Sequence, residues 1–528
     1  MKLTICTGPI SQGHPQKQLD LYIDCIRRAV AEGADVIVLA VDFPDVLASA
    51  ARRTETHFAR TAGQALTALA TVAPQQLLIG QSRTDSTAAI AWAAHRGQVT
   101  MLDDSPLEYV GERIFVATGA PRDIDADSWQ ICLCQRPFDK YGSPLPIISP
   151  RTLCVSPLGV HDCGSTLTVY DGRIRDSEHP HGIHALQATP CHFICENGRF
   201  TLLDDTANED VSALDVLRFA LKEICARWHI EHVTIGLSGG IDSAFNLMLY
   251  RSIFDSDRLL AVNMPSAYNS GSTKQIAREL AQALDVPYLT IPIQASAEYT
   301  RQQLDEVLAA HHTGKSVSDF VFENIQARDR SARVLAALSA IHRGVFTCNA
   351  NKTEMTVGYG TMYGDISGFL CAIGDLWKHE VYAMAEELNR REYQEHALPP
   401  AALSLPPSAE LSPAQNPEQG QGDPLYYPYH DCLFRAWTEG PNPPDLHETV
   451  RLYRKGQLAD AIRTAADLDR IFPTEDDFLR DARRWWRMYR GLAVAKRRQA
   501  PPLIALSPYP LSGRDEAQYE SDDSLLDD

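Results

Sequence analysis

The chain has 528 residues, 44% hydrophobic and 22% charged, with a formal net charge of −19. That length suits two or three folding units, and the composition is that of a soluble globular protein. The acidic balance repels phosphodiester backbones and anionic lipid, so neither nucleic acid nor a membrane surface is an expected partner. No apolar run reaches the ~18 residues of a membrane span.

The opening, MKLTICTGPISQGHPQ, has no sustained apolar stretch of the secretory kind, which points to the cytoplasm. The twelve cysteines are then expected as reduced, mostly buried thiols. MKLTICTG reads as a strand. DLYIDCIRRAVAEGA reads as an amphipathic helix with Leu21, Ile23, Ile26 and Val30 near one face. DVIVLAV is a buried strand by its β-branched content, HFARTAGQALTALATVA a helix and QLLIGQS a strand. AAIAWAAHRGQVTML reads as a hairpin around His95-Arg96-Gly97, and WQICLCQ, TLCVSPL, TLTVYDGRI and CHFICENGRFTLL continue the strands. Early helices followed by many strands predict a layered α/β or α+β domain over 1–203.

Cys154, His161, Cys163, His179, His181, His184, Cys191, His192 and Cys195 crowd one stretch of this domain. Such a cluster could ligate zinc, but its spacing fits neither CxxC…CxxC nor HExxH, so metal binding is the minor reading and the sequence does not decide it.

A second pattern begins near Asp210. Helix SALDVLRFALKEICARWH precedes strand HVTIGL, a helix, strand LLAVNM, helix TKQIARELAQAL and strand PYLTIPI. Strands alternating with helices over short connections predict a parallel, doubly wound sheet. Two further helices follow, NIQARDRSARVLAALSAIHRG and LWKHEVYAMAEELNRR. The Pro-, Ser-, Gln- and Gly-rich stretch from Pro399 to Asp431 reads as a loop or surface excursion. DDFLRDARRWWRMYRGLAVAKRRQ is helical in pattern, and the acidic end, 516–528, is expected to be disordered.

The string LSGGIDS joins strand HVTIGL to the next helix. A Gly-rich strand-to-helix turn is an anion site: consecutive N–H groups point inward, and the helix N-terminus adds positive potential. Gly239 and Gly240 allow close approach, and Ser238 and Ser243 add hydroxyls. Asp242 would repel a bare phosphate, but it suits one carried with a divalent cation. Two adjacent glycines alone would be read as an ordinary capped turn. The whole string in a βαβ setting resembles the pyrophosphate loop of N-type ATP pyrophosphatases.

Downstream stand FENIQARDR (322–330), NANKTEMTVGYGTMYGD (349–365) and IGDLWKHEVY (373–382). Glu354 offers a second carboxylate for Mg²⁺, Asp365 a hydrogen-bonding anchor, and Lys378 a cation for the leaving pyrophosphate. Together with LSGGIDS these strings resemble NAD synthetase. PPSAEL (406–411), DPLYYPYHD (423–431) and VAKRRQAPP (494–502) resemble its glutamine-dependent branch.

The resemblance spans roughly 205–515. It implies a Rossmann-like, adenine nucleotide α-hydrolase-like synthetase domain over 204–515, behind an N-terminal nitrilase-like αββα domain. It implies ATP-dependent amidation of deamido-NAD to NAD through an acyl-adenylate, with release of AMP and pyrophosphate, and a homo-oligomer. Carried over by position, Gly236, Leu237, Ser238, Gly239, Gly240, Ile241, Asp242, Ser243 and Asn349 would bind ATP. Asp242 and Glu354 would hold Mg²⁺. Asn324, Arg328, Glu354 and Lys496 would bind deamido-NAD, and Asp242, Glu354 and Lys378 would serve catalysis. Asn349 replaces a threonine that many members have there. Its amide can still hydrogen-bond.

The family's N-terminal domain is a glutaminase built on glutamate, lysine and cysteine. EGADVIVLAVDFPD aligned on Gly33-Ala34-Asp35 puts Val41 at the glutamate's position, with Asp42 and Asp45 close by. No lysine occurs between Lys17 and Lys140. Arg113 is the sole cation in QVTMLDDSPLEYVGERIF, and its fixed fork is a poor replacement for an ammonium. Cys134 falls at the nucleophile's place, followed by Gln135 and Arg136 where acidic residues are usual. The expectation is a degenerate glutaminase, with ammonia arriving free or from a separate glutaminase. Two other readings stay open: an ATP-pyrophosphatase ligase acting on another carboxylate, and a non-enzymatic nucleotide-binding regulator.

Overall fold

The computed structural model describes residues 1–7, 15–42, 56–83, 89–103, 105–125, 127–134, 137–142, 149–162, 164–183, 186, 190–203, 211–413 and 415–512. The acidic end at 516–528 lies outside them. The chain divides into two compact units. One comprises Met1–Cys163, Leu167–Glu223 and Leu506–Pro508; the other comprises Gly164–Thr166, Ile224–Ala505 and Tyr509–Asp528.

In the first unit β1 (Lys2–Cys6), β2 (Val36–Asp42) and β3 (Leu77–Arg83) run parallel. The chain then turns back through β4 (Ala89–His95) and β5 (Gln98–Met101), a hairpin closed by Arg96 at φ 52° and Gly97 at φ 75°. β6 (Leu107–Tyr109), β7 (Glu112–Thr118), β8 (Trp129–Leu133) and β9 (Thr152–Val155) build a second sheet, in which β7, β8 and β9 are parallel. β10 (Leu158–Asp162) and β11 (Thr166–Asp171) form an antiparallel pair. β12 (Ile174–Arg175) closes the second sheet, while β13 (Cys191–Glu196) and β14 (Arg199–Leu202) return to the first. The strand orders are β14-β13-β1-β2-β3-β4-β5 and β12-β9-β8-β7-β6.

Alternation along each strand decides what packs where. Leu3, Ile5, Val36, Val38, Leu77 and Ile79 face Ile114, Ile131, Leu133 and Leu153 between the sheets. Cys6, Ile37, Leu39 and Leu78 face helices Pro15–Ala31 and Thr56–Val72 on the outer side. Strands covered on both faces read as continuous apolar runs, which explains DVIVLAV. On helix Pro15–Ala31 the buried stripe is Leu19, Tyr22, Ile26 and Ala29, spaced three and four apart. That corrects the predicted face. Leu21 and Ile23 are only partly buried, and Val30 is 36% exposed.

In the second unit β15 (Val233–Gly236), β16 (Leu259–Asn263), β17 (Tyr288–Thr290) and β18 (Val345–Phe346) form a wholly parallel sheet in the order β17-β16-β15-β18. The winding leaves β15 for β16 and β17 on one side and later returns to its other side as β18. A doubly wound sheet binds ligands beyond its carboxyl ends where the winding reverses, and the SGGIDS turn leaves β15 at that place. An aromatic cluster of Phe434, Trp437, Phe478, Trp485 and Trp486 cores the C-terminal helices.

The stretch 399–431 is largely irregular, as a loop would be, but parts of it are buried rather than a surface excursion, and a helix starts at Tyr427. Pro406 to Leu411, Pro417 and Asp423 line the cavity described below, and Glu410 is 2% exposed. Its prolines fix an irregular wall rather than a free loop. No helix among the described residues is long and apolar enough to cross a membrane.

Candidate active site

The turn after β15 is shaped by glycine and serine. Gly239 has φ 95°, and a Cβ there would lie 2.1 Å from the Thr273 carbonyl oxygen, so the position excludes a side chain. The Ser243 hydroxyl donates to the Gly240 carbonyl at 2.9 Å and accepts from the Ser238 N–H at 3.2 Å. The Gly240 N–H donates to Ser238 Oγ at 3.2 Å. Helix Ile241–Arg251 starts directly from Gly240 without a side-chain cap. Its first-turn N–H groups and dipole therefore favour an anion.

Asp242, in that first turn, receives the Asn351 amide on Oδ1 at 2.9 Å and the Lys378 ammonium on Oδ2 at 2.5 Å. Asn351 caps the short helix Lys352–Val357 through a capping box with Glu354: each side chain accepts the other's backbone N–H. Glu354 Oε1 thereby sits 3.6 Å from Lys378 Nζ. Lys378 opens helix Lys378–Tyr393 and is 3% exposed, with its ammonium 5.1 Å from the Tyr427 ring centroid. Burial by itself would lower the Lys378 pKa. Asp242 and Glu354 outweigh it and hold the ammonium above the ordinary lysine value. Burial, then Asp242, push the Glu354 carboxyl well above the usual glutamate range, and Lys378 offsets only part of this.

Gly236 to Ser243, Asn349, Glu354 and Lys378 line one cavity of about 250 Å³. Asn349 is held by Thr347, and its amide donates to the Gly236 carbonyl at 2.9 Å. Asn324, Arg328 and Lys496 collect instead around the turn at 358–365. Thr361 Oγ1 donates to Asn324 at 3.0 Å, Arg328 Nε to the Met362 carbonyl at 3.1 Å, and Lys496 Nζ to the Gly358 carbonyl at 2.7 Å. Burial lowers the Lys496 pKa, Asp365 opposes that, and Arg328 adds to it. Gly358 ends the Glu354 helix at φ 65°, where a Cβ would lie 2.8 Å from Ala493 Cα. Asp365 accepts the Thr361 N–H at 2.5 Å and lines the cavity, so this turn meets both groups.

Two residues that line the cavity, Arg330 and Glu410, and one behind it, Asn351, were not singled out from the sequence. Asn351 touches Asp242 directly. Arg330, in a π-helical segment Asp329–Leu335, donates to the Met264 carbonyl and to Asn269, both at 3.1 Å. Glu410 accepts from Asn269, the Ser270 N–H and Thr273 at 2.8–3.0 Å, which ties PPSAEL to the segment packed on Gly239. Each lies within or beside a string already noted, but only spatial neighbours reveal its use.

In the first unit Cys134 follows β8, is 3% exposed, and its thiol donates to the Gly119 carbonyl at 3.0 Å. It shares a small cluster with Ala117, Cys132 and Cys154. Arg113 lies near the opposite end of β7, about six residues or roughly 20 Å along the parallel β7–β8 pair. Its half-exposed guanidinium pairs with Glu108 and Asp125. Asp45, Gln135, Arg136 and the side chains of Val41 and Asp42 lie outside the described residues. Among the described residues no three His, Cys, Asp or Glu side chains group as metal ligands. His179 bonds Asp176, and His192 bonds Thr4 and Glu32. Cys154 and Cys191 belong to different sheets, and Cys163 and His184 lie outside the described residues.

Residues 214–459 match the family model described as NAD synthase. An NH(3)-dependent NAD(+) synthetase of Helicobacter pylori is 32% identical over 211 residues, which are 40% of this chain and 72% of that relative. A glutamine-dependent NAD(+) synthetase of Xanthomonas campestris is 35% identical over 270 residues, 51% of this chain and 46% of the relative. The chain thus spans about half the length of the curated glutamine-dependent relative it matches. A glutamine-dependent NAD(+) synthetase structure from Cytophaga hutchinsonii superposes at TM-score 0.72 and 12% identity, covering 100% of this chain and 99% of that one. One from Acinetobacter baumannii, in complex with ADP, does so at 0.63 and 18% identity, covering 97% of each. At those identities the likeness is one of fold alone.

Proposed function

The chain belongs to the NAD synthase family, and from that premise we propose that it amidates the nicotinate carboxylate of deamido-NAD with ammonia, driven by ATP. The observation that carries this reading is the meeting of Asp242 and Glu354 on one buried ammonium, Lys378, in the cavity under the Gly239 turn. A carboxylate is a poor electrophile until an oxygen becomes a good leaving group. In the proposed sequence a nicotinate oxygen bonds to the α-phosphorus of ATP as the bond to pyrophosphate breaks. Ammonia nitrogen then bonds to the carbonyl carbon, AMP departs with the oxygen, and a proton is lost to solvent.

No enzyme nucleophile is needed. The chain's task is to hold reactants together and stabilise charge. The turn N–H groups and the Ser238 hydroxyl hold phosphate oxygens, and the Lys378 ammonium faces the departing pyrophosphate. The donor set also fits Mg²⁺, which takes one or two carboxylates and completes its shell with phosphate and water. Two carboxylates share one ammonium, and burial together with the neighbouring Asp242 raises the Glu354 pKa. Asp242 and Glu354 would hold the ion, which neutralises triphosphate charge when bound. Asn324, Arg328 and Lys496 are assigned to deamido-NAD.

We assign the synthetase to 204–515 and a degenerate glutaminase to 1–203. The absent lysine, Val41 in the glutamate's place and the buried, carbonyl-bonded Cys134 support that assignment. Ammonia is then supplied free or by a separate glutaminase. The test gives the purified protein deamido-NAD and Mg-ATP with either ammonium or glutamine, in ammonia-free buffer. NAD from ammonium alone is the expected result. NAD from glutamine would overturn the glutaminase assignment, and no NAD from either would overturn the substrate assignment.

A further inference from the structure

Asp431 ends the string DPLYYPYHD, lies on helix Tyr427–Thr438, and is 2% exposed. Burying a carboxylate is costly unless its oxygens are fully engaged. Oδ1 accepts the Thr353 hydroxyl at 2.5 Å. Oδ2 accepts the His379 N–H at 3.0 Å and makes a 2.8 Å contact with His379 Nδ1. The Thr353 hydroxyl in turn accepts the Lys378 N–H at 3.0 Å. A continuous chain therefore runs from the Lys378 backbone through Thr353 to Asp431.

These partners belong to the two segments that form the charged trio. Thr353 precedes Glu354 on one short helix, and Lys378 and His379 begin the next. Residues 358–377 separate them, so local sequence cannot set their spacing. A carboxylate at a helix N-terminus also complements its dipole. The far end of the same brace repeats the grip: the fully buried Lys352 ammonium bonds Asp375 and Glu439, each at 2.7 Å, and Trp377 Nε1 donates to Glu439 at 3.2 Å.

We propose that Asp431 is a positioning residue that, through Thr353, fixes the backbone of Lys378 so that its ammonium lies between Asp242 and Glu354. This rests on the synthetase reading of the pocket. Losing the brace moves the ammonium without emptying the nucleotide cavity. Turnover should then suffer more than nucleotide affinity, since a misplacement of about 1 Å can cost on the order of 100-fold.

The test compares Asp431→Asn, Thr353→Val and Thr353→Ser with wild type. The first two should lower kcat by about 30- to 100-fold with KM for ATP within about threefold, while Thr353→Ser, which keeps the hydroxyl, should restore near-normal kcat. Loss of thermal stability with kcat unchanged below the melting range would overturn the proposal. If Asp431→Asn does not fold, the threonine pair decides. If wild type forms no NAD, the synthetase reading fails separately, and a crystal structure of Asp431→Asn or Thr353→Val decides the positioning claim. A Lys378 ammonium still within 3 Å of Asp242, by the usual hydrogen-bond limit, would sink it.

Discussion

The cavity beneath β15 and the surroundings of Cys134 both lie where a strand runs out, yet they differ in how charge is placed. Around Lys378, groups from four separated stretches (Asp242, Asn351 with Glu354, Lys378, Asp431) converge, and burial leaves their charges incompletely balanced. Among the described residues the apolar cluster around Cys134 consists of other thiols and an alanine, and the one cation of the expected region pairs with carboxylates near the far end of β7. A thiol becomes a nucleophile when a base or cation favours its thiolate. The same burial that sharpens electrostatics in the first place makes the second a packed core.

The sharpest way to break this comparison is Asp242→Asn. If Asp242 is one of two carboxylates that carry the reaction's cation, ammonium-dependent NAD formation should fall by about a thousandfold while the circular dichroism spectrum is unchanged. Retained turnover would move the chemistry elsewhere.

A smaller effect is expected from Glu354→Gln, measured as Tm without nucleotide between pH 5 and 8. The folded-state pKa of Glu354 is raised, so its contribution to stability is present below the ordinary glutamate pKa and is lost as pH rises through the folded value. Gln keeps the capping geometry but not the charge. The variant should therefore gain on wild type as pH rises and melt higher at pH 8. A constant Tm difference across this range would contradict the strained-carboxylate picture.

The smallest expected effect is Cys134→Ala. Ammonium-dependent activity should be unchanged, and glutamine should support no synthesis before or after the change. A glutamine-dependent activity in wild type that vanishes in the variant would erase the contrast between the two regions.

Much of the pocket was legible because a phosphate turn needs local residue types: Gly239 for its backbone and Asp242 three residues on, within one helical turn. Glu354 was legible as a carboxylate within NANKTEMTVGYGTMYGD; its place as the third helical position after a capping Asn351 came from the structure. In the stretch from Pro399 to Asp431 the irregular backbone was legible and its burial was not, since proline and glycine report irregular backbone but not whether that backbone is buried. Arg330, Glu410 and Asp431 gain meaning from partners 61 to 141 residues away and 52 to 78 away; no periodicity encodes such pairs.

The residue pattern alone was enough for the strands and helices that flank the glycine turn, for the turn itself and for the missing lysine, because each depends on neighbours in the chain or on composition. It took the folded chain to show that Asp242 and Glu354 share one ammonium, that PPSAEL walls their cavity, and that Cys134 is packed among thiols. Those outcomes depend on which distant side chains exclude water together, and burial is what gives their charges and hydrogen bonds their strength.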